Sequence, residues 1–208
     1  MTSKLIIIRG NSGSGKTTLS KEIHYRLPRN TLLIRQDIVR REMLNVKDGE
    51  KTLALPLLEN LLEYGYHHCS YTILEGILNA KWYTDLFKKA QGLFGSQIYA
   101  YYFDIPFEET IRRHKARHEY SFGEEKMRSW WNEEDYIGFI PEYAFTSQMH
   151  LADEISIVMN ITTEEMRRIV AVFRFLLPDA WIRLAGGRGL LPDVKQDLPL
   201  YFLLYCKR

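Results

Sequence analysis

Apolar and polar positions alternate in blocks along the chain. Residues 4–9 read as a short buried strand, since Leu5-Ile6-Ile7-Ile8 has no polar interruption. Residues 15–27 follow with Leu19, Ile23 and Leu27 at helical spacing, and Pro28 ends the run. Thr31–Ile34 predicts a second strand and Ile38–Asn45 a helix. Leu53, Leu57, Leu58, Leu61 and Leu62 place another helix over 51–65. Tyr71–Leu74 is a third strand, 80–91 a helix, and Ile98–Phe103 an aromatic-rich fourth strand. Pro106 opens a helix with Glu108 and Glu109 in its first turn, where acids favour the dipole. Residues 123–131 are read as a further helix and Ile155–Met159 as a fifth strand. Strands alternating with helices imply an α/β fold: a parallel, roughly five-stranded sheet between two helical layers. Ligands of such sheets bind at the carboxyl ends of the strands.

The strongest chemical signal lies at the first of those ends. Gly10-Asn11-Ser12-Gly13-Ser14-Gly15-Lys16-Thr17 is G-x-x-x-x-G-K-[ST], directly after a strand and before a helix. A loop that wraps a triphosphate must turn its N–H groups inward, which glycines permit. Lys16 supplies a charge for the β- and γ-phosphates, and the Thr17 hydroxyl suits Mg²⁺. The cofactor-binding set is therefore Gly10 to Lys16, with Thr17 and Thr18 at the helix start.

Other candidates sit at the remaining strand ends. Asp37 and Arg40 lie three apart at a helix start. The carboxylate suits a general base for an acceptor hydroxyl, and the arginine suits an anion. An N-cap aspartate with solvated arginines is the plainer alternative. Glu75-Gly76 ends the third strand and offers an acid for Mg²⁺, its water shell or a substrate. Arg112, Arg113 and Arg117 follow the fourth strand and can place positive charge on a moving phosphoryl group. His114 and His118 have metal-ligand spacing but lack the glutamate of H-E-x-x-H, and His67-His68-Cys69 offers adjacent side chains that diverge. Trp130-Trp131 reads as packing before stacking.

Composition narrows the class. At 208 residues and 46% hydrophobic, the chain supports one domain with an appendage. A net charge of +2 weighs against a long nucleic acid or an anionic membrane as partner. Two distant cysteines, Cys69 and Cys206, suggest a reducing, cytoplasmic setting. Four apolar residues in a row at the N-terminus make neither a signal peptide nor a span.

In this order the motifs resemble the small P-loop kinases, the group with polynucleotide 5′-kinase domains, zeta-toxin kinases, chloramphenicol phosphotransferase and bacterial uridine kinase-like proteins. The resemblance covers residues 1–165 and includes Gln36-Asp37-Ile38-Val39-Arg40-Arg41, Leu74-Glu75-Gly76-Ile77-Leu78 and Phe122-Gly123-Glu124-Glu125 through Trp130-Trp131. It implies an adenylate-kinase-like core, ATP and Mg²⁺ as cofactors, and transfer of the γ-phosphate to a hydroxyl of a small-molecule or nucleotide-type acceptor. Asp37 would be the base, and Arg40, Arg113 and Arg117 would join Lys16 as catalytic residues, with Arg112 on the nucleotide. A regulatory nucleotide switch and an inactive nucleotide-binding relic are the rival readings; the chain lacks the N-K-x-D guanine motif. The acceptor and the oligomeric state stay open.

Residues 166–208 form an extension whose packing the pattern does not fix. Residues 165–194, including Glu165–Ala180 and Ile182–Arg188, resemble a late segment of biotin synthase and related radical-SAM enzymes. The chain has no C-x-x-x-C-x-x-C cluster motif, so a helix, a strand over Trp181–Leu184 and a glycine turn suffice.

Overall fold

The apolar run at the N-terminus forms the central strand of a five-stranded parallel sheet. The structure, a computed structural model, describes residues 3–116, 123–160, 182–184 and 202–204. The elements in order are β1 (Lys4–Gly10), α1 (Lys16–Arg26), β2 (Thr31–Arg35), α2 (Gln36–Ile38), a π-helical turn (Val39–Met43), α3 (Ala54–His68), β3 (Tyr71–Gly76), α4 (Thr84–Phe94), β4 (Ile98–Phe103), α5 (Phe107–Lys115), α6 (Glu124–Ser129) and β5 (Glu142–Phe145). The sheet order is β2-β3-β1-β4-β5. In register, Ile6 sits between Ile73 and Tyr99, and Tyr101 pairs with Tyr143. The chain runs to one side of β1 for β2 and β3 and to the other for β4 and β5. The loop after β1 therefore lies where connections diverge, the usual ligand crevice of an open α/β sheet.

Every residue of β1 is buried, as both-face coverage of a parallel strand requires. Leu5, Ile7, Leu74, Phe87 and the α3 leucines Leu58 and Leu62 share one core. Gly65 brings α3 onto β3: a Cβ there would meet Thr72 Oγ1 at 2.2 Å. α1 ends because Leu27, before Pro28, is extended.

Three expectations change. The fifth strand is Glu142–Phe145, and residues 151–160, α7, are helical instead. Ile155, Val158 and Met159 are the buried hydrophobic positions there, a spacing of three and four that fits a helix face. The helix expected over 80–91 starts at Thr84, because Asn79 Oδ1 accepts from the N–H groups of Lys81 and Trp82, both at 3.1 Å, and holds a turn. The helix over 38–45 begins at Gln36 and widens to a π turn.

The chain divides into two compact units, Met1–Glu154 and Ile155–Arg208. In the second, β6 (Ile182–Leu184) and β7 (Phe202–Leu204) pair antiparallel, with Ile182 opposite Leu204. β6 matches the predicted strand from its second residue; Trp181 and the helix expected before it lie outside the described residues.

Candidate active site

The loop from Gly10 to Thr17 has a backbone that glycine alone fits at three places. Gly10, Gly13 and Gly15 have φ of 139°, 82° and 121°. Space is also closed: a Cβ on Gly10 would lie 2.9 Å from Phe103 Cβ, and one on Gly13 2.7 Å from the Thr110 carbonyl oxygen. β4 and α5 thus press the loop into shape from the far side. Lys16 opens α1 and folds back, its Nζ donating to the Asn11 carbonyl at 2.7 Å and to Ser14 Oγ at 3.4 Å. The ammonium is buried inside the curl where phosphate oxygens would arrive. Ser12 is half-buried and Thr18 exposed.

The Asn11 side chain faces protein. Its Nδ2 donates to the Asn132 carbonyl at 2.6 Å, and its Oδ1 accepts from Asn132 N at 2.9 Å. Asn132 in turn accepts from Asn79 at 2.8 Å. The side chain therefore fastens the loop to the segment after α6, leaving its backbone for ligand.

Thr17 Oγ1 donates to Glu75 Oε1 at 3.1 Å, and Arg35 Nε donates to Glu75 Oε2 at 3.3 Å. The first turn of α1 and the ends of β2 and β3 meet in this triad. A hydroxyl beside a buried carboxylate is an oxygen donor set that fits Mg²⁺, which takes one or two protein oxygens and completes its shell with phosphate and water. Among the described residues no group of three or more His, Cys, Asp or Glu is placed to hold a metal. His118 lies outside the described residues.

At the end of β2, Arg40 donates to Asp37 Oδ1 at 2.7 Å, and Arg41 approaches the same oxygen at 3.4 Å. The carboxylate is 48% exposed, while the Arg40 side chain is 13% exposed and braced on the Val46 carbonyl at 3.4 Å. An exposed carboxylate held by a largely buried arginine leaves the acid open to a bound hydroxyl.

The arginines of α5 part company. Arg113 Nη1 donates to the Ser14 carbonyl at 2.7 Å, placing its charge against the phosphate loop. Arg112 is 74% exposed and bonds Glu109 at 2.7 Å. Arg117 lies outside the described residues. Hydrogen bonds from Arg112, then Arg113, pull the Glu109 carboxyl down to about 2. Trp131 stands edge-on to Phe107, ring centroids 5.1 Å apart, as packing predicts.

Sequence reasoning missed Arg9. Its guanidinium is fully buried, pairs with Asp135 at 2.6 Å and Glu142 at 3.1 Å, and donates to the Leu78 and Asp135 carbonyls. It lies over the Tyr102 and Phe87 rings. Burial pushes the Asp135 and Glu142 carboxyls up, and Arg9 opposes that. An arginine directly after the apolar run Leu5–Ile8 is the available signal, since it demands buried counter-charge. Asp135-Tyr136-Ile137-Gly138 has the D-x-x-G spacing of nucleotide switches, but Asp135 here is a partner of Arg9 and Ala80 N.

A family model described as AAA domain matches residues 5–132. A second, the Biotin and Thiamin Synthesis associated domain, matches residues 144–202. Curated relatives match a short stretch: the biotin synthase of Brachyspira hyodysenteriae is 64% identical over 33 residues, 16% of this chain and 10% of that protein. Biotin synthase 2 of Corynebacterium diphtheriae is 70% identical over 34 residues, again 16% and 10%. The chain thus spans a tenth of the length of these relatives. Among solved structures, a gluconokinase from Sinorhizobium meliloti superposes with a TM-score of 0.56 at 15% identity, covering 74% of this chain and 88% of that one. The tunicamycin resistance protein of Deinococcus radiodurans gives 0.56 at 16%, covering 77% and 95%. The APS kinase of Mycobacterium tuberculosis, solved with AMPPNP and APS, gives 0.55 at 16%, covering 78% and 98%. The five-stranded parallel core is thus a P-loop kinase-type fold. The phosphate loop, Asp37, Arg40, Glu75 and Arg113 all fall inside the matched span, and the chain belongs to the AAA domain family.

Proposed function

We propose that the protein is an ATP-dependent kinase that transfers the γ-phosphate to a hydroxyl of a small-molecule or nucleotide-type acceptor, with residues 1–165 as the kinase domain. The observation that supports this reading is the pairing of the 10–17 loop with buried Lys16, after β1, with the exposed Asp37 on its Arg40 anchor, after β2, two strand ends of one sheet separated by β3. A hydrolytic switch needs the first site alone; transfer between two substrates needs both.

Lys16 and the loop's backbone N–H groups hold the β- and γ-phosphates. Thr17 and Glu75 would hold Mg²⁺, which when bound neutralises phosphate charge. The Asp37 Oδ2 atom takes the acceptor hydroxyl's proton as that oxygen bonds to the γ-phosphorus and the bond to the β–γ bridging oxygen breaks, releasing ADP; Arg40 orients the carboxylate. Arg113, fixed to Ser14, stabilises charge on the moving phosphoryl group; Arg117 joins it in this assignment. Arg112 acts on the nucleotide from the α5 surface. Among the described residues no helix is long and apolar enough to cross a membrane. The assigned partners are ATP and a small hydroxyl-bearing substrate in the cytoplasm.

Asp37→Asn tests the assignment. Nucleotide affinity, measured by titration with a fluorescent ATP analogue, should stay within about twofold, while acceptor-dependent turnover falls roughly 100- to 10,000-fold. Full turnover in this variant would remove Asp37 from the base role.

A further inference from the structure

Arg35 has no part in the transfer chemistry, yet it holds one oxygen of the carboxylate assigned to Mg²⁺. It is the last residue of β2 and lies opposite Glu75 in register, so the backbone sets the pair. Gln36, the next residue, is buried and tied to Asp48 and to the Tyr83 hydroxyl, which itself donates to Asp48; this closed triangle fixes the end of β2. Arg35 Nε donates to Glu75 Oε2 at 3.3 Å, while Thr17 Oγ1 donates to Oε1 at 3.1 Å. The Glu75 side chain is 7% exposed and the Arg35 side chain 26%. Among the described residues the guanidinium makes no other hydrogen bond.

This pairing differs from that of Arg9. There a fully buried guanidinium meets two acids and two carbonyls, which locks it in place. Arg35 reaches one acid through one hydrogen bond and keeps contact with water, so a stronger cation can displace it. A carboxylate as shielded from water as Glu75 needs a counter-charge, and Arg35 supplies a removable one. Asp37 adds no spare negative charge nearby, since Arg40 and Arg41 share it. Lys16 adds positive charge next to Thr17. A divalent ion about 6 Å from a unit positive charge loses roughly tenfold in affinity even at the dielectric of water. The polyphosphate of a nucleotide brings negative charge that outweighs this repulsion.

We infer that Arg35 is the placeholder cation of the metal site: it neutralises Glu75 until nucleotide arrives, and so makes divalent-ion binding conditional on the polyphosphate. This rests on the assignment of Thr17 and Glu75 to Mg²⁺ in the kinase reading above. The charge at position 35, and not its packing, sets the effect.

Mn²⁺ is the probe, because the free aquo ion has an electron paramagnetic resonance signal that the bound ion loses. The full chain is titrated without nucleotide at pH 8 as wild type, Arg35→Met, Arg35→Lys and the double variant Arg35→Met with Glu75→Gln. Binding of a fluorescent ATP analogue in EDTA is the folding control. Wild type should bind Mn²⁺ more weakly than about 1 mM, since one carboxylate and one hydroxyl make an incomplete shell. Arg35→Met should bind about tenfold tighter or more, and Arg35→Lys should match wild type. Adding Glu75→Gln should cancel the gain. Should Arg35→Met not fold, the wild-type titration decides: binding tighter than about 1 mM without nucleotide overturns the inference. Unchanged or weaker binding in Arg35→Met, or a gain shared by Arg35→Lys, overturns it and leaves the kinase standing. A gain that survives Glu75→Gln puts the ion elsewhere and overturns it too. Failure of wild type to bind the ATP analogue overturns the kinase reading itself.

Discussion

Arg9→Met removes a guanidinium that is buried with two carboxylates around it. Asp135 and Glu142 side chains are 15% and 1% exposed, so Glu142 is the one stranded without water. Methionine restores contact with Tyr102 and Phe87 but donates nothing to Asp135, Glu142 or Leu78. Removing one partner of a buried ion pair costs about 3–5 kcal/mol. Glu142 Oε2 keeps the Ile137 N–H and Asp135 keeps Ala80 N, so about 4 kcal/mol at pH 8 is expected. That is a large part of the ~5–15 kcal/mol that holds a domain folded.

The penalty depends on pH in a definite direction. Burial already raises both carboxyls above their ordinary 3.8 and 4.5, and Arg9 is the group that opposes it. Without Arg9 they rise further. A folded carboxyl that binds its proton more tightly than the unfolded one is favoured below the unfolded value, and loses that advantage as pH climbs to the folded one. The cost of Arg9→Met should therefore shrink by roughly 1–2 kcal/mol between pH 8 and pH 5, as the stranded acids neutralise. Urea titrations followed by tryptophan fluorescence at both pH values measure this. Adding Glu142→Gln to Arg9→Met should recover about 1–2 kcal/mol at pH 8. A loss below about 1 kcal/mol, or one that grows on acidification, would refute the reasoning.

Gly13→Ala puts a side chain at φ 82° with its Cβ 2.7 Å from the Thr110 carbonyl oxygen; it should cost about 1–3 kcal/mol and weaken ATP at least tenfold, and unchanged nucleotide affinity in a titration would contradict the cradle. Burial raises Glu154 to about 7 against the pull of Arg113, so the stability it contributes declines as pH rises from about 4.5 to about 7. Glu154→Gln should therefore raise the melting midpoint at pH 8 and not at pH 5, and an equal difference at both would count against it.

Legibility in the sequence followed how local the cause was. Gly10, Gly13 and Gly15 answer a backbone requirement inside one loop, so their spacing announced the site. β1 and β3 read as strands because burial on both faces demands unbroken apolar runs. β5 was hidden. It has four residues and starts with a glutamate, tolerated inside because Arg9 meets it from 133 residues away. Ile155–Met159 looked more strand-like in isolation, yet its buried positions follow a helical period. The Asp37–Arg40 pair was visible at helical spacing, whereas the Gln36–Asp48–Tyr83 triangle needs tertiary structure to close. Arg112 and Arg113 look equivalent in sequence; only the packing of α5 on the phosphate loop separates them.

The most direct test of the central claim is transfer itself. ATP labelled at the γ-phosphate, with Mg²⁺ and a library of hydroxyl acceptors, would be incubated with wild type, Lys16→Ala and Asp37→Asn. Wild type should place label on one class of acceptor, and neither variant should label any above background. Label released only as free phosphate, at a rate indifferent to acceptor and to Asp37→Asn, would contradict the claim.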